Sequence, residues 1–308
     1  MEIIVNISII IPTYNAMTHL PKLLDSLKQQ ALKFELIIVD SSSTDGTYEM
    51  IEPYADKIIT ISKNEFDHGG TRTKAAKFAS GEFLVFLTQD TILYDKNAIQ
   101  RLLEPFMDTS VSATYGRQLP HSNTSLFGKH LRYFNYPSVS HIRTLEDKEL
   151  YGIKTTFFSD SFAAYRRSAL EEVEWFKNGL IVGEDMHVAS KLLLKNYKVA
   201  YCAEAKVSHA HSYTIVEEFK RYFDTGVFHA KEPWIFKTFG KAEGEGVKYL
   251  KSEFNYLLEQ YAYHRIPEFF IRNGMKFLGY KLGLNYQLFP KEIIKRLSLH
   301  SLWWDKSF

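Results

Sequence analysis

Apolar residues in this chain cluster in short runs separated by polar turns. Ser8-Ile9-Ile10-Ile11-Pro12 is a run of strand length closed by proline. Leu20, Leu23, Leu24 and Leu27 then fall at helical spacing, with Thr18 as the expected cap. Leu36-Ile37-Ile38-Val39 predicts a second buried strand, ending in Asp40 and the turn Ser41-Ser42-Ser43-Thr44-Asp45-Gly46. A helix over about residues 46–54 leads to a third strand, Ile58-Ile59-Thr60-Ile61. A polar loop from Asn64 to Thr71 and a helix ending near Gly81 precede the fourth strand, Phe83-Leu84-Val85-Phe86-Leu87. Strands alternating with helices predict an α/β fold with a mostly parallel, doubly wound, Rossmann-like sheet. In such sheets ligands bind beyond the carboxyl ends of the strands, where three of these polar stretches begin.

The pattern loosens after about residue 100. Strands are expected at Ser112–Gly116, Phe157–Arg166 and Val199–Ala203, and helices over 184–196 and 215–229. The irregular aromatic stretch between the first two strands is expected to frame a cleft. From about 248 the pattern is helical, with breaks at Pro267 and Pro290. There is no internal repeat.

Composition narrows the class. Of 308 residues, 45% are hydrophobic and 24% charged, which excludes disordered and collagen-like chains. The single Cys202 excludes an internal disulfide framework and fits a reducing compartment. No apolar run is long enough to span a bilayer, and residues 1–6 lack a basic segment and cleavage site. The net charge of +2 hides an asymmetry: residues 263–308 carry eight Lys/Arg against three acids, about +5, leaving about −3 elsewhere. That segment also holds ten aromatic residues, including Phe269, Phe270, Trp303 and Trp304. Basic and aromatic residues together suit a membrane surface, a packed helical hairpin or a dimer contact.

Several polar groups carry candidate chemistry. Asp40 closes a strand, where it either reads the imide N–H of a pyrimidine or forms an Asx turn. Asp90 follows the most apolar strand and offers a hard oxygen to a divalent cation, or simply caps. Gly183-Glu184-Asp185 opens a helix, where acids are favoured by the dipole and one carboxylate can serve as a general base. His209 and His211 would face one side of an extended chain, although only one is expected to ligate an ion. Phe66-Asp67-His68-Gly69-Gly70-Thr71-Arg72 reads as a loop whose N–H groups and Arg72 approach a diphosphate or sugar. No GxGxxG or phosphate-binding loop is present, and no nucleic-acid partner is expected.

Taken in order over roughly residues 5–230, these elements resemble the inverting glycosyltransferases of family 2, which have the GT-A fold. The matching segments are Ile9-Ile10-Ile11-Pro12-Thr13-Tyr14-Asn15, Ile37 to Thr47, Ala79 to Leu87 and Gly183-Glu184-Asp185. The Phe66–Arg72 stretch, Leu87-Thr88-Gln89-Asp90 and Ser208-His209-Ala210-His211-Ser212-Tyr213 are similar to the rhamnosyltransferase branch. The resemblance implies a nucleotide-sugar donor, dTDP-L-rhamnose, and a growing surface polysaccharide or lipid-linked glycan as acceptor. A UDP-hexose or UDP-N-acetylhexosamine donor is the alternative, and a non-catalytic binding module a second. It further implies Asp185 as base, and Mg²⁺ or Mn²⁺ held by Asp90 with His209. Pro12, Thr13, Tyr14, Asn15, Asp40, Ser42, His68, Gly69, Arg72, Gln89 and Asp90 would bind the donor, and Trp175 and Glu184 the acceptor. The family's Asp-x-Asp motif is reduced here, because Thr88 takes its first position. By the same resemblance residues 1–230 form the catalytic domain, with a donor half to about 100 and an acceptor half beyond. Residues 231–308 form a helical extension, membrane-associated or dimerising, in a cytoplasmic protein peripheral to the inner face of the plasma membrane.

Overall fold

A computed structural model describes residues 6–241 and 244–306; residues 1–5, inspected above for a signal, lie outside it. Nine strands form one sheet: β1 (Ile7–Thr13), β2 (Glu35–Asp40), β3 (Lys57–Thr60), β4 (Phe83–Leu87), β5 (Ile92–Leu93), β6 (Val111–Leu119), β7 (His141–Arg143), β8 (Phe162–Arg166) and β9 (Lys198–Ser208). Their order is β3-β2-β1-β4-β8-β6-β9-β5, with β7 pairing the other part of β9. The parallel reading holds for β3-β2-β1-β4 and again for β6 against β9. Between these groups β8 runs antiparallel to both β4 and β6. Because β8 reverses twice, β6 and β9 point the same way as the first four strands. The loops after β1, β2, β4, β6 and β9, and the loop before β8, therefore share one end of the sheet.

The strands of the parallel half are apolar throughout because both faces are covered. Ile10, Leu84 and Phe86 enter the core on one face, while Ile9, Ile11, Val85 and Leu87 enter the core on the other, as period-two side-chain alternation requires. Some boundaries differ from expectation. The first helix, Leu20–Lys28, starts one residue after His19 with proline in its first turn, so Thr18 is not its cap. The strand expected from Phe157 begins only at Phe162, after a 3-10 turn over Gly152–Thr156.

The carboxyl-terminal region is helical: Pro233–Phe239, Glu245–Glu259, Ile266–Leu284 and Lys291–Leu297. Pro267 lies in the first turn of one helix and Pro290 caps another, so both start helices, as the missing N–H allows. The Ile266–Leu284 helix lies on the Ile215–Lys231 helix along a glycine seam. A Cβ at Gly226, Gly279 or Gly283 would collide with the partner helix's backbone carbonyls.

The basic count of this region does not describe its surface. Arg272 and Lys276 are buried, and Glu218 receives Arg272 at 3.0 Å and Lys276 at 3.7 Å. Lys276 also meets the fully buried Glu253 at 3.8 Å. Lys291 and Lys295 are both paired with Asp305. Much of the excess charge thus locks helices together. Trp303 and Trp304 pack against the main core. Phe270, Ile271, Phe277 and Leu278 instead form an exposed stripe. Among the described residues no helix is long and apolar enough to cross a membrane.

Candidate active site

Three side-chain groups meet at the shared end of the sheet. The first joins the loops after β1, β2 and β4. Asp40 is buried; it accepts from the Thr13 hydroxyl at 3.0 Å, and from the Ser43 N–H at 2.9 Å and hydroxyl at 2.6 Å. These bonds, the backbone one from three residues on, fix the carboxylate within the loop. Asn15, in the left-handed region at φ 46, accepts from the Thr44 N–H at 2.9 Å, which staples the two loops. The Gln89 amide pairs with the backbone of Tyr14 in both directions, at 2.8 and 3.2 Å. The Lys63 ammonium lies 4.5 Å over the Tyr14 ring and donates to its hydroxyl at 2.9 Å. The Ser42 hydroxyl is used locally, donating to the Ile61 carbonyl at 2.8 Å.

The second group is Asp90, His209 and His211, whose ligand atoms lie within 4.8 Å of one another. The Nε2 atoms of His209 and His211 approach Asp90 Oδ2 at 3.3 and 3.6 Å. Both imidazoles turn to Asp90, so the geometry offers His211 as a candidate ligand beside His209. Burial alone would raise the Asp90 carboxyl, but hydrogen bonds from His209 and Thr88 and the adjacent imidazoles hold it well below the ordinary carboxylate range. Burial lowers both histidines against the pull of Asp90, His211 to about 4, so both are neutral near pH 7. Gln118 Oε1 lies 2.8 Å from His209 Nδ1 and also accepts from Arg132 at 2.7 Å. With the Gln118 acceptor at Nδ1, the ring proton can sit there when a cation takes the Nε2 lone pair in place of the hydrogen bond to Asp90. One carboxylate oxygen and two imidazole nitrogens fit a divalent cation, Mn²⁺ better than Mg²⁺.

The third group is acidic. Asp185 lies in the first turn of the Glu184–Leu194 helix, half-buried, accepting from the Met186 N–H at 2.7 Å. Glu184 is buried and meets Arg72 at 2.9 Å and His68 at 4.0 Å. Asp160, in the loop before β8, accepts from the Tyr165 hydroxyl at 2.6 Å and lies 3.4 Å from the Arg72 guanidinium. Two carboxyl groups thus share one guanidinium, with Asp185 next to Glu184 in the same turn. Burial, then repulsion from Glu184 and Asp160, pushes Asp185 well above the usual carboxylate range. Burial raises Asp160 to about 7 despite Arg72. Glu184 goes the other way, because Arg72 and then His68 outweigh its burial. Environments that separate neighbouring carboxyl groups so widely are how acid–base roles become distinct.

These groups correct three assignments. Glu184, expected to face an acceptor, turns inward to Arg72. Gly69 stands in a helix and not in a loop. The Phe66–Arg72 stretch is the start of the His68–Phe78 helix, whose end is capped by the Asp67 carboxylate on the Gly70 N–H at 2.7 Å. Gly69 is needed because a Cβ there would strike the Lys177 carbonyl. Trp175, expected at an acceptor, lies across from Arg167, which holds the carbonyls of Ala79 and Gly81 at the opposite end of β4. Arg72 reaches the site, but with its charge engaged by Glu184 and Asp160. Sequence reading missed Gln118, Asp160 and His211 as participants. The His-x-His spacing was the signal for the last; the other two lie in the segment with no clear periodicity.

A cavity of 420 Å³ is lined by Pro12, Thr13, Tyr14, Lys63 and Gln89, by His68, Arg72 and Ile181, and by residues between Leu299 and Lys306. A cavity of 720 Å³ between Arg143, Lys154, Lys237 and Lys248 contains none of the three groups. The smaller one is tied to the site because Tyr14 and Gln89 of the first group line it, as does Arg72, which holds Glu184 and Asp160.

A sheet of this order, with acids and a carboxylate–histidine cluster at its strand ends, defines a nucleotide-sugar-dependent glycosyltransferase of the GT-A type. The pattern of Glycosyl transferase family 2 matches residues 8–174, and the chain belongs to that family. It is 46% identical to the O-antigen chain rhamnosyltransferase RfbN of Salmonella typhimurium, over 97% of this chain and 96% of that protein. It is 45% identical to the O-antigen chain rhamnosyltransferase WbaN of Salmonella anatum, over 97% of this chain and 95% of that one. The fold is similar to the mannosyltransferase PcManGT of Pyrobaculum calidifontis, solved with GDP-Man and Mn²⁺. The TM-score is 0.61 at 18% identity, covering 98% of this chain and 88% of that one.

Proposed function

We propose that this enzyme transfers L-rhamnose from dTDP-L-rhamnose, with inversion, to a lipid-linked or polysaccharide acceptor in surface glycan synthesis. The observation that carries the reading is 46% and 45% identity, over nearly the full length, to two O-antigen rhamnosyltransferases. In this reading Asp40 accepts from the thymine imide N–H, and the Pro12–Tyr14 turn packs on the nucleoside. Inversion needs one displacement: the acceptor hydroxyl attacks the anomeric carbon opposite the diphosphate and gives its proton to Asp185. The raised Asp185 carboxyl is the stronger base once ionised. Asp90, His209 and His211 would hold Mn²⁺ or Mg²⁺, which offsets the charge gathering on the leaving diphosphate. Arg72 keeps Glu184 ionised and orients the acid cluster beneath the sugar. Calorimetry with dTDP-L-rhamnose and UDP-glucose, each with and without EDTA, tests the donor. Tighter binding of dTDP-L-rhamnose is expected, and preference for the UDP-sugar would replace this reading.

A lipid-linked acceptor also gives the exposed stripe a use. Phe270, Ile271, Phe277 and Leu278 share one flank of a helix, with Lys281 5.5 Å over the Phe277 ring. Set against the inner leaflet, they would bring the cavity to the acceptor as a peripheral contact. Flotation with anionic liposomes is expected for the wild type and not for Phe270→Ser/Phe277→Ser. Wild-type protein that stays at the bottom at low salt as a dimer would assign the stripe to self-association.

A further inference from the structure

The last described residues return across the fold to the donor cavity, and they are tied there at several points. The N–H groups of Leu299 and His300 donate to the fully buried Asp224 carboxylate at 2.8 and 3.3 Å. A 3-10 turn, Ser301–Asp305, follows, and its Ser301, Leu302 and Trp303 line the cavity. Lys291 and Lys295 hold Asp305 at 3.4 and 2.6 Å. Lys231 lies 4.6 Å over the Trp303 ring. The Lys306 ammonium donates to the Phe66 carbonyl, 240 residues earlier in the chain. A segment ordered by so many ties has already lost its chain entropy before any ligand arrives.

What this segment shows to the cavity is specific. The His300 ring packs edge-on against His68 at 5.4 Å between centroids, and both line the cavity side by side. Burial lowers both imidazoles, His300 to about 4, so each is neutral near pH 7. A neutral imidazole offers one N–H donor and one lone pair. Two of them facing one space complement neighbouring hydroxyl groups better than they complement a diphosphate. His68 meets Glu184 at 4.0 Å, and Glu184 precedes Asp185 in the same helical turn. The imidazole pair therefore sits beside the acid cluster, where the transferred sugar belongs in this reading.

We propose that Leu299–Lys306 is a donor-binding element, and that its His300, together with His68, hydrogen-bonds the hydroxyls of the transferred sugar. This rests on the donor reading above. It gives Leu299–Lys306 a binding role, separate from the membrane contact proposed for the exposed stripe on the Ile266–Leu284 helix.

The test is calorimetric titration of wild type, His300→Ala and a chain ended at Ser298 with dTDP and with dTDP-L-rhamnose, each protein's melting temperature being taken alongside. His300→Ala is expected to bind dTDP within twofold of wild type and dTDP-L-rhamnose about tenfold more weakly, the scale of one lost hydrogen bond. The shortened chain, if folded, is expected to lose at least tenfold for both. A merely structural tail would instead lower the melting temperature of His300→Ala and weaken both ligands equally. That outcome, or wild-type affinity for dTDP-L-rhamnose in His300→Ala, overturns the proposal. If wild type prefers a UDP-sugar, the donor reading fails on its own. The same proteins are then titrated with UDP and that sugar, and unchanged affinity in His300→Ala again overturns the inference.

Discussion

The parallel half of the sheet and the carboxyl-terminal segment reach the same cavity by opposite routes. In the first, β1, β2 and β4 deliver their loops directly, and the residues that touch the cavity are the last two of β1 or follow their strands by one or two positions. In the second, the chain must build four helices, bury an ion-pair network and fold back before Leu299–Lys306 arrives. Local pattern controls the first region; pairing between distant residues controls the second. The two also age differently under mutation. Damage to a strand-end carboxylate should affect chemistry and leave the fold intact, whereas damage to the helical scaffold should affect stability first.

The largest effect is expected at Asp185. Asp185→Asn keeps the shape but cannot take a proton. It should lower kcat by about 10²–10⁴-fold, the usual contribution of a general base. Donor affinity should stay within a few-fold, because the change acts on the transition state. Pre-steady-state transfer assays beside calorimetry separate these; equal loss of affinity and turnover would make Asp185 a structural residue.

Next in size is the cation cluster. Chelation with EDTA should abolish transfer, and Mn²⁺ should restore it. Asp90→Asn should cost about 10²-fold or more in kcat, since a bound cation stabilises the departing diphosphate by several kcal/mol. Gln118→Leu removes the acceptor that fixes the His209 tautomer and should weaken metal affinity by about 10–100-fold. Full activity after exhaustive chelation would remove the cluster from the mechanism.

How much of this was legible follows the same division. The strands at 8–12, 36–39 and 83–87 and the carboxylates that follow them were readable because each is a local pattern. The His-x-His spacing was visible too, but its consequence required knowing that β9 continues extended to Ser208 beside β6. Gln118 and Asp160 were not readable, since neither sits in a periodic segment and each acts through a residue far along the chain. The charge count of residues 263–308 was misleading for a physical reason. Glu218 and Glu253, which neutralise Arg272 and Lys276, lie outside that window, so a surface excess was inferred from buried ion pairs. The glycine seam was hidden because Gly279 and Gly283 look identical in sequence to the exposed Gly274.

A smaller effect is expected in pH dependence. Asp185 must be ionised to accept a proton, and its carboxyl is raised above the ordinary value. The acid limb of kcat/KM should therefore lie above the ordinary carboxylate range, with activity rising as pH rises through it. Asp160→Asn removes one repelling charge, so the limb should move to lower pH. A profile flat from pH 4 to 8 would mean that Asp185 does not titrate during the reaction.

The smallest effect sharpens the contrast on a single helix. Gly274 and Gly283 both lie within Ile266–Leu284, and glycine in a helix interior is worse than alanine by about 1 kcal/mol. At Gly274 a Cβ would meet nothing within 4 Å, so Gly274→Ala should stabilise by roughly 0.5–1 kcal/mol. At Gly283 a Cβ would enter the Phe223 carbonyl, which is backbone and cannot rotate aside. Forcing the helices apart there should cost about 1–3 kcal/mol, more than the propensity gain, so Gly283→Ala should destabilise. The same substitution thus carries opposite signs nine residues apart, and urea unfolding of the two variants reads the sign directly. Stabilisation by both would mean that the Ile266–Leu284 helix is not seated on the Ile215–Lys231 helix. The Asp224 anchor belongs to that second helix, so the placement of Leu299–Lys306 over the cavity depends on the same packing.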